Sequence, residues 1–247
     1  MRALNRRPGP RELMELHVEA LYTHDAAGRI VRVREHDGAP APRFYVGRAA
    51  DGSLARRYRH DVGDAVRREL EAASADAVLP DAAAEPAAAA AELARYAAIL
   101  ARVAPVETTE AGPVFHFPDA LPAPYTPPDE AVVRVTAANV DVLRPLLGAW
   151  VPDVERSPPL VAVVVGGRAV AVCASVRITP RAHEAGVETA PAHRGRGYAP
   201  RAAAAWARLV RALGAEPLYS TSWRNAASRA VARRLELEAV GRDLHLA

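Results

Sequence analysis

Apolar positions recur along this chain in two rhythms, and the alternation between them predicts its elements. In the first 117 residues, period-two patterns come early. His17–Thr23 and Arg29–Arg34 flank Asp25-Ala-Ala-Gly28, and Arg43–Gly47 and Leu54–Tyr58 flank Asp51-Gly52, which predicts two hairpins. Helical spacing follows at Val62–Ala73 and Ala87–Val103. In the latter, Leu93, Tyr96, Ile99, Leu100 and Val103 recur at steps of three and four, one face of a helix. Val114–Phe117 adds a short strand. The region reads as a small α+β unit with no catalytic constellation.

A proline-rich stretch then interrupts both rhythms. Phe117–Glu130 holds five prolines, which remove backbone donors and hold their neighbours extended. It predicts a linker at 118–130 between an N-terminal domain, 1–117, and a C-terminal domain, 131–247. The second half alternates strands and helices. Strands are expected at Val132–Val135, Leu160–Val165, Ala169–Val176, Gly186–Ala190, Leu218–Thr221 and Ala239–Leu246. Gly166-Gly167 joins two of them as a hairpin. Helices are expected at Asn139–Leu147, from the loop after Ala190 to Leu213 with Gly214 as its stop, and at Asn225–Leu235. The fold class is therefore α+β: a mixed, mainly antiparallel sheet with flanking helices, beside a smaller N-terminal α+β domain.

Composition narrows the class. Of 247 residues, 50% are hydrophobic and 25% charged, enough apolar surface for a core. The net charge of +3 is carried entirely by arginine, with no lysine in the chain, so arginine excess alone is a weak sign of nucleic-acid binding. One cysteine, Cys173, excludes an internal disulfide. The eight histidines lack metal-binding spacing, so no metal is expected. No apolar run approaches the ~20 residues of a membrane span. The opening residues carry no secretory pattern, and a cytoplasmic protein is expected.

Chemistry concentrates in Val187-Glu-Thr-Ala-Pro-Ala-His-Arg194-Gly-Arg-Gly-Tyr-Ala199. A strand enters Arg194-Gly195-Arg196-Gly197, and a helix leaves it. Glycines there let backbone amides approach an anion closely, and the helix N-terminus adds free N–H groups and partial positive charge. It is a phosphate cradle that lacks both the GxxxxGK[ST] and the GxGxxG spacings. The pattern Arg194-x-x-Gly197-x-Ala199 resembles the (Gln/Arg)-x-x-Gly-x-(Gly/Ala) pyrophosphate loop of the GNAT superfamily of N-acyltransferases. The strands before it, the long helix after it and the Tyr219–Ser228 segment resemble that family too, over roughly 131–247.

The resemblance implies an acetyl-CoA-dependent N-acetyltransferase that acts on a primary amine by direct attack. Arg194, Gly195, Arg196, Gly197, Tyr198 and Ala199 would hold the coenzyme pyrophosphate through their backbone amides. Val187 and Thr189 would bond the pantetheine arm along a splayed strand edge, and Asn225 and Ser228 would reach the same ligand. Glu188 would be the general base, with partial burial raising its pKa. The family's tyrosine seven residues after the helix asparagine is Ala232 here, which leaves Ser228, Tyr219 or water to protonate the thiolate. Glu236 stands where the family often has glycine. These departures motivate the alternative of a coenzyme A-binding sensor. The expected acceptor is a small-molecule or peptide amine, with neither nucleic acid nor membrane as a partner and a homodimer possible.

Overall fold

A computed structural model describes residues 7–35, 41–75, 85–121, 127 and 129–247. In chain order, the first elements are α1 (Pro10–Leu21), β1 (Tyr22–His24), β2 (Ile30–Val33), β3 (Phe44–Ala49) and β4 (Leu54–Tyr58). Then come α2 (Asp64–Ala75), α3 (Glu85–Leu100), β5 (Thr109–His116) and β6 (Glu130–Val135). After α4 (Arg144–Leu147) and α5 (Asp153–Arg156) follow β7 (Leu160–Val165), β8 (Arg168–Ile178) and β9 (Ala182–Thr189). The chain closes with α6 (Tyr198–Ala212), β10 (Glu216–Ser220), α7 (Ala226–Arg234) and β11 (Glu238–Leu246).

These elements form two compact units that are not consecutive pieces of chain. One is Met1–Val114 with Ser220–Asn225 and Ala239–Ala247; the other is Phe115–Tyr219 with Ala226–Glu238. The expected domains 1–117 and 131–247 thus differ from the observed units at the C-terminus. The reason is strand pairing: β11 runs antiparallel to β3, from Gly241↔Ala49 to Leu246↔Phe44, so the end of the chain belongs with its beginning. The expected linker 118–130 falls partly outside the described residues, and its last residue, Glu130, already opens β6.

In the first unit the strand order is β4-β3-β11-β5. Alternation sends Phe44, Val46, Leu244 and Leu246 to one face, where Leu70 of α2 and Tyr96 and Leu100 of α3 cover them. The Phe44 ring stacks on Tyr58 and meets Tyr96 edge-on, 5.2 and 5.3 Å between centroids. Tyr45 points to the opposite face and donates its hydroxyl to the Met14 sulfur of α1 at 3.3 Å. Gly47 is required there, because a Cβ would overlap that sulfur. The strand expected over His17–Thr23 is mostly helix. Leu13, Met14, His17, Val18 and Leu21 are buried at helical spacing, Pro10 begins the first turn, and only Tyr22–His24 is extended.

The second unit has the order β10-β9-β8-β7-β6. Its strands are antiparallel except β9 and β10, which are parallel. Ala203, Trp206, Ala207 and Val210 of α6 pack on Val161, Val163, Ala171 and Cys173. The other face is covered by Leu143, Leu147 and Val154 against Leu160, Ala162, Val172 and Ala174. The helix expected over Asn139–Leu147 is broken into a 3₁₀ turn at Val140–Val142 and the short α4, with Pro145, which has no N–H to donate, near its start. Both units are α+β, as the two rhythms predict.

Candidate active site

The strand β9 delivers the chain to the Arg194–Ala199 loop through a 3₁₀ turn at Pro191–His193. Arg194 folds back, its Nε donating to the Thr189 carbonyl at 3.3 Å. Gly195 and Gly197 both adopt positive φ, 78° and 80°, a region where a side chain is strained. Gly197 is the N-cap of α6, and no side chain caps that end. The first amides of a 15-residue helix are therefore left for an outside acceptor.

Arg196, Gly197 and Tyr198 line a pocket of ≈ 380 Å³ together with Glu130, Arg201 and Arg234. An added Cβ on Gly197 would lie 3.4 Å from the Arg234 guanidinium carbon, an ordinary contact distance that puts this cation beside the loop. Arg201 is paired with Glu130, whose carboxyl lies below the usual range because Arg201 donates to it and Tyr198 adds a bond at 3.1 Å. The Nε and Nη2 of Arg201 are shut from solvent and have no partner among the described residues. Buried donors of this kind require an acceptor. The guanidinium groups of Arg196 and Arg234, the spare donors of the Glu130-paired Arg201, one glycine cradle and a helix N-terminus thus suit a multiply charged anion.

A second opening lies along β9. Its parallel register with β10 ends at Leu218↔Glu184, while its other edge stays paired to β8 through Thr189. From Ala185 to Thr189 the β10-side edge has no strand partner among the described residues, which leaves its main-chain groups for another extended chain. Val187 packs into the core under α6. Glu188 points the other way and accepts from Trp150 Nε1 at 2.5 Å. It is exposed rather than partly buried as expected. The buried carboxylate on this strand is Glu184, 1% exposed, which sequence reasoning missed.

Tyr219 follows Leu218 in β10. Its hydroxyl is 2.8 Å from Ser228 Oγ of α7, and burial pushes its pKa up to about 12. Ser228 therefore sits against a phenol. Asn225 ends the Ser220–Asn225 segment of the first unit directly ahead of α7, and its amide donates to the Ser222 carbonyl at 3.0 Å. Ala232 is buried in the core under α6. Among the described residues, no group of three or more His, Cys, Asp or Glu could hold a metal ion, and no helix is long and apolar enough to cross a membrane.

Residues 133–236 match the sequence model of the Acetyltransferase (GNAT) family. The GNAT match is confined to these residues, under half of the chain. The match spans the Arg194–Ala199 loop, the open β9 edge and Tyr219 alike. Solved structures of GNAT-family proteins are similar to this chain. One from Novosphingobium aromaticivorans is 22% identical, with 57% of this chain and 65% of that one covered and a TM-score of 0.46. One from Colwellia psychrerythraea is 13% identical, covering 82% and 80%, with a TM-score of 0.47. A third, from Kribbella flavida, is 20% identical, covering 61% and 62%, with a TM-score of 0.46. This chain thus spans just under two thirds of the first and third. No curated protein matches its sequence. The match covers most of the second unit and, of the first, the Ser220–Asn225 segment.

Arg234 and Trp150 were not singled out for these contacts at the sequence level. Trp150 meets Glu188 across 38 positions, and Arg234 reaches Gly197 from another helix, so neither has a local signal.

Proposed function

We propose that the GNAT domain binds acetyl-CoA and transfers its acetyl group to a primary amine by direct attack. The observation that carries this reading is the loop itself: two left-handed glycines open the uncapped N-terminus of α6 beside Arg196, Arg201 and Arg234. That geometry matches a diphosphate in shape and charge. Acetyl-CoA, when bound, supplies an activated carbonyl with a thiolate leaving group.

The chain's own residues then orient and move protons. The amides of Gly195–Ala199 and the spare donors of Arg201 hold the diphosphate, and the main chain of Val187 and Thr189 bonds the amide arm along the open edge of β9. Trp150 fixes one carboxylate oxygen of Glu188 and leaves the other to take a proton from the substrate ammonium, directly or through water, so that the neutral amine attacks the carbonyl. Tyr219, which burial keeps protonated through neutral pH, gives its hydroxyl proton to the departing sulfur in place of the missing tyrosine at Ala232. Ser228 orients that hydroxyl.

Two measurements test the reading. Acetyl-CoA at a hundredfold excess over Kd stabilises the protein by about 2.7 kcal/mol. Free thiol then appears with at least one member of a panel of amino acids, polyamines, aminoglycosides and peptides. No stabilisation overturns the coenzyme site. Stabilisation without turnover on any amine supports the second reading, a coenzyme-binding sensor, which Ala232 favours because no proton donor stands at that position.

A further inference from the structure

The first unit has a pocket of its own, far removed in chemistry from an apolar core. It is ≈ 410 Å³ in volume and is lined by Gly28 and Arg29 of the β1–β2 turn, Arg56, Arg57 and Tyr58 of β4, and Arg67 of α2. Among the described residues, no acid lines it. We propose that this pocket binds a small phosphorylated molecule, with Arg29 and Arg56 as its principal contacts.

Charge accounting points to those two residues. Arg57 is paired with Glu15 at 2.5 Å, and Arg67 with Glu71 at 2.9 Å and Asp64 at 3.4 Å. Arg29 and Arg56 instead meet neutral oxygens: the His60 carbonyl at 3.3 Å and Ser74 Oγ at 2.7 Å. Asp25, the acid on the turn, has its Oδ1 engaged by the amides of Ala27 and Arg29, 2.9 Å each, and it also feels the Arg29 charge without a hydrogen bond to the guanidinium. Those bonds and the positive φ of Gly28 hold the turn that carries Arg29. The Tyr58 hydroxyl is shut from solvent without a partner among the described residues, and the charges acting on it are Glu71, Arg56 and Arg67.

Cations on the edge strand β4 guard against strand addition. That role does not explain why Arg29 from a turn and Arg67 from a helix converge on the same hollow. A phosphoryl group does, because its three terminal oxygens and charge near −2 satisfy several guanidinium forks at once. The volume falls in the range of small-ligand sites, roughly 300–1,000 Å³, and is too confined for a nucleic-acid strand to be the favoured occupant.

The proposal does not depend on the coenzyme reading, and its test separates the two. Inorganic pyrophosphate is titrated calorimetrically into the full chain with coenzyme A present in excess, alongside Arg29→Gln and Arg56→Gln. The expected result is one remaining pyrophosphate site, weakened about tenfold or more by either substitution. Citrate binds less tightly than pyrophosphate. If coenzyme A itself does not bind, the two variants still report on this pocket alone. Arg29 lies on a surface turn, so its variant keeps the fold, which circular dichroism checks. Binding unchanged in folded Arg29→Gln overturns the proposal, as does no binding in the wild type. Tighter binding of a single-stranded oligonucleotide than of pyrophosphate also overturns it.

Discussion

Gly197 carries two requirements at one position, a positive φ and the uncapped start of α6, with the Arg234 guanidinium beside it. Gly197→Asp places a carboxylate against that guanidinium and opposite the diphosphate, so the stabilisation by acetyl-CoA should disappear. The check is a thermal shift on a variant whose circular dichroism is unchanged. Glu188→Gln keeps the indole bond but cannot take a proton; turnover falls roughly 10²–10⁴-fold with coenzyme affinity retained. Wild-type rates across pH would move the base elsewhere. Tyr219→Phe lowers turnover by about 10²-fold at constant coenzyme affinity if its hydroxyl is the proton donor. The loop was legible in sequence because its chemistry is contiguous: a strand, two glycines and a helix start within a dozen residues. The Trp150–Glu188 bond and the Tyr219–Ser228 pair depend on where separate elements meet, and no spacing announces them.

The two principal helices of the second unit end in the same motif with different residues. In α6, Ala215 N–H reaches the Val210 carbonyl and Gly214 N–H reaches Arg211, with Gly214 at φ 82°. In α7, Leu237 bonds Ala232 and Glu236 bonds Arg233, with Glu236 at φ 53°. Both are Schellman caps, and only the first has the residue that suits the left-handed position. Glu236→Gly should therefore raise stability by about 1 kcal/mol, measured by urea unfolding. An unchanged or lower midpoint would show that the glutamate carries a compensating contact. On α1 and β11, buried Asp243 accepts from His17 Nε2 at 2.7 Å and His245 Nε2 at 2.9 Å. Burial pushes its carboxyl up, but His245 and His17 outweigh that and hold it well below the usual range. A depressed folded-state pKa gives stability that is present above the ordinary carboxylate value and lost as pH falls through the folded one. Asp243→Asn should cost about 3–5 kcal/mol at pH 7 and flatten the acid limb of stability below about pH 4. A parallel pH profile would assign the limb to other carboxylates, Glu216 beside His116 among them.

At the scale of the molecule, chain order and spatial order part company. A fragment beginning at Pro128 contains the whole family match yet carries β11 away from β3, its partner over Gly241–Leu246. Such a fragment should aggregate or bind coenzyme poorly, because an unpaired nine-residue strand exposes its ladder groups. A soluble fragment with full affinity would show that the strand is dispensable. The sequence by itself determined the α+β class, most elements of the second unit and the anion-binding loop, since periodicity, glycines and a helix start are local properties of the chain. It misread α1, because the buried face of a helix and a short alternating strand share the same few apolar residues over a seven-residue window. Tertiary structure alone decided that the last strand joins the first unit. It alone decided that β9 and β10 part after Glu184, that Arg234 faces Gly197, and that arginines of a turn, a strand and a helix surround one hollow. These are outcomes of long-range pairing, in which the partner of each group is set by the packing of whole elements and not by its neighbours along the chain.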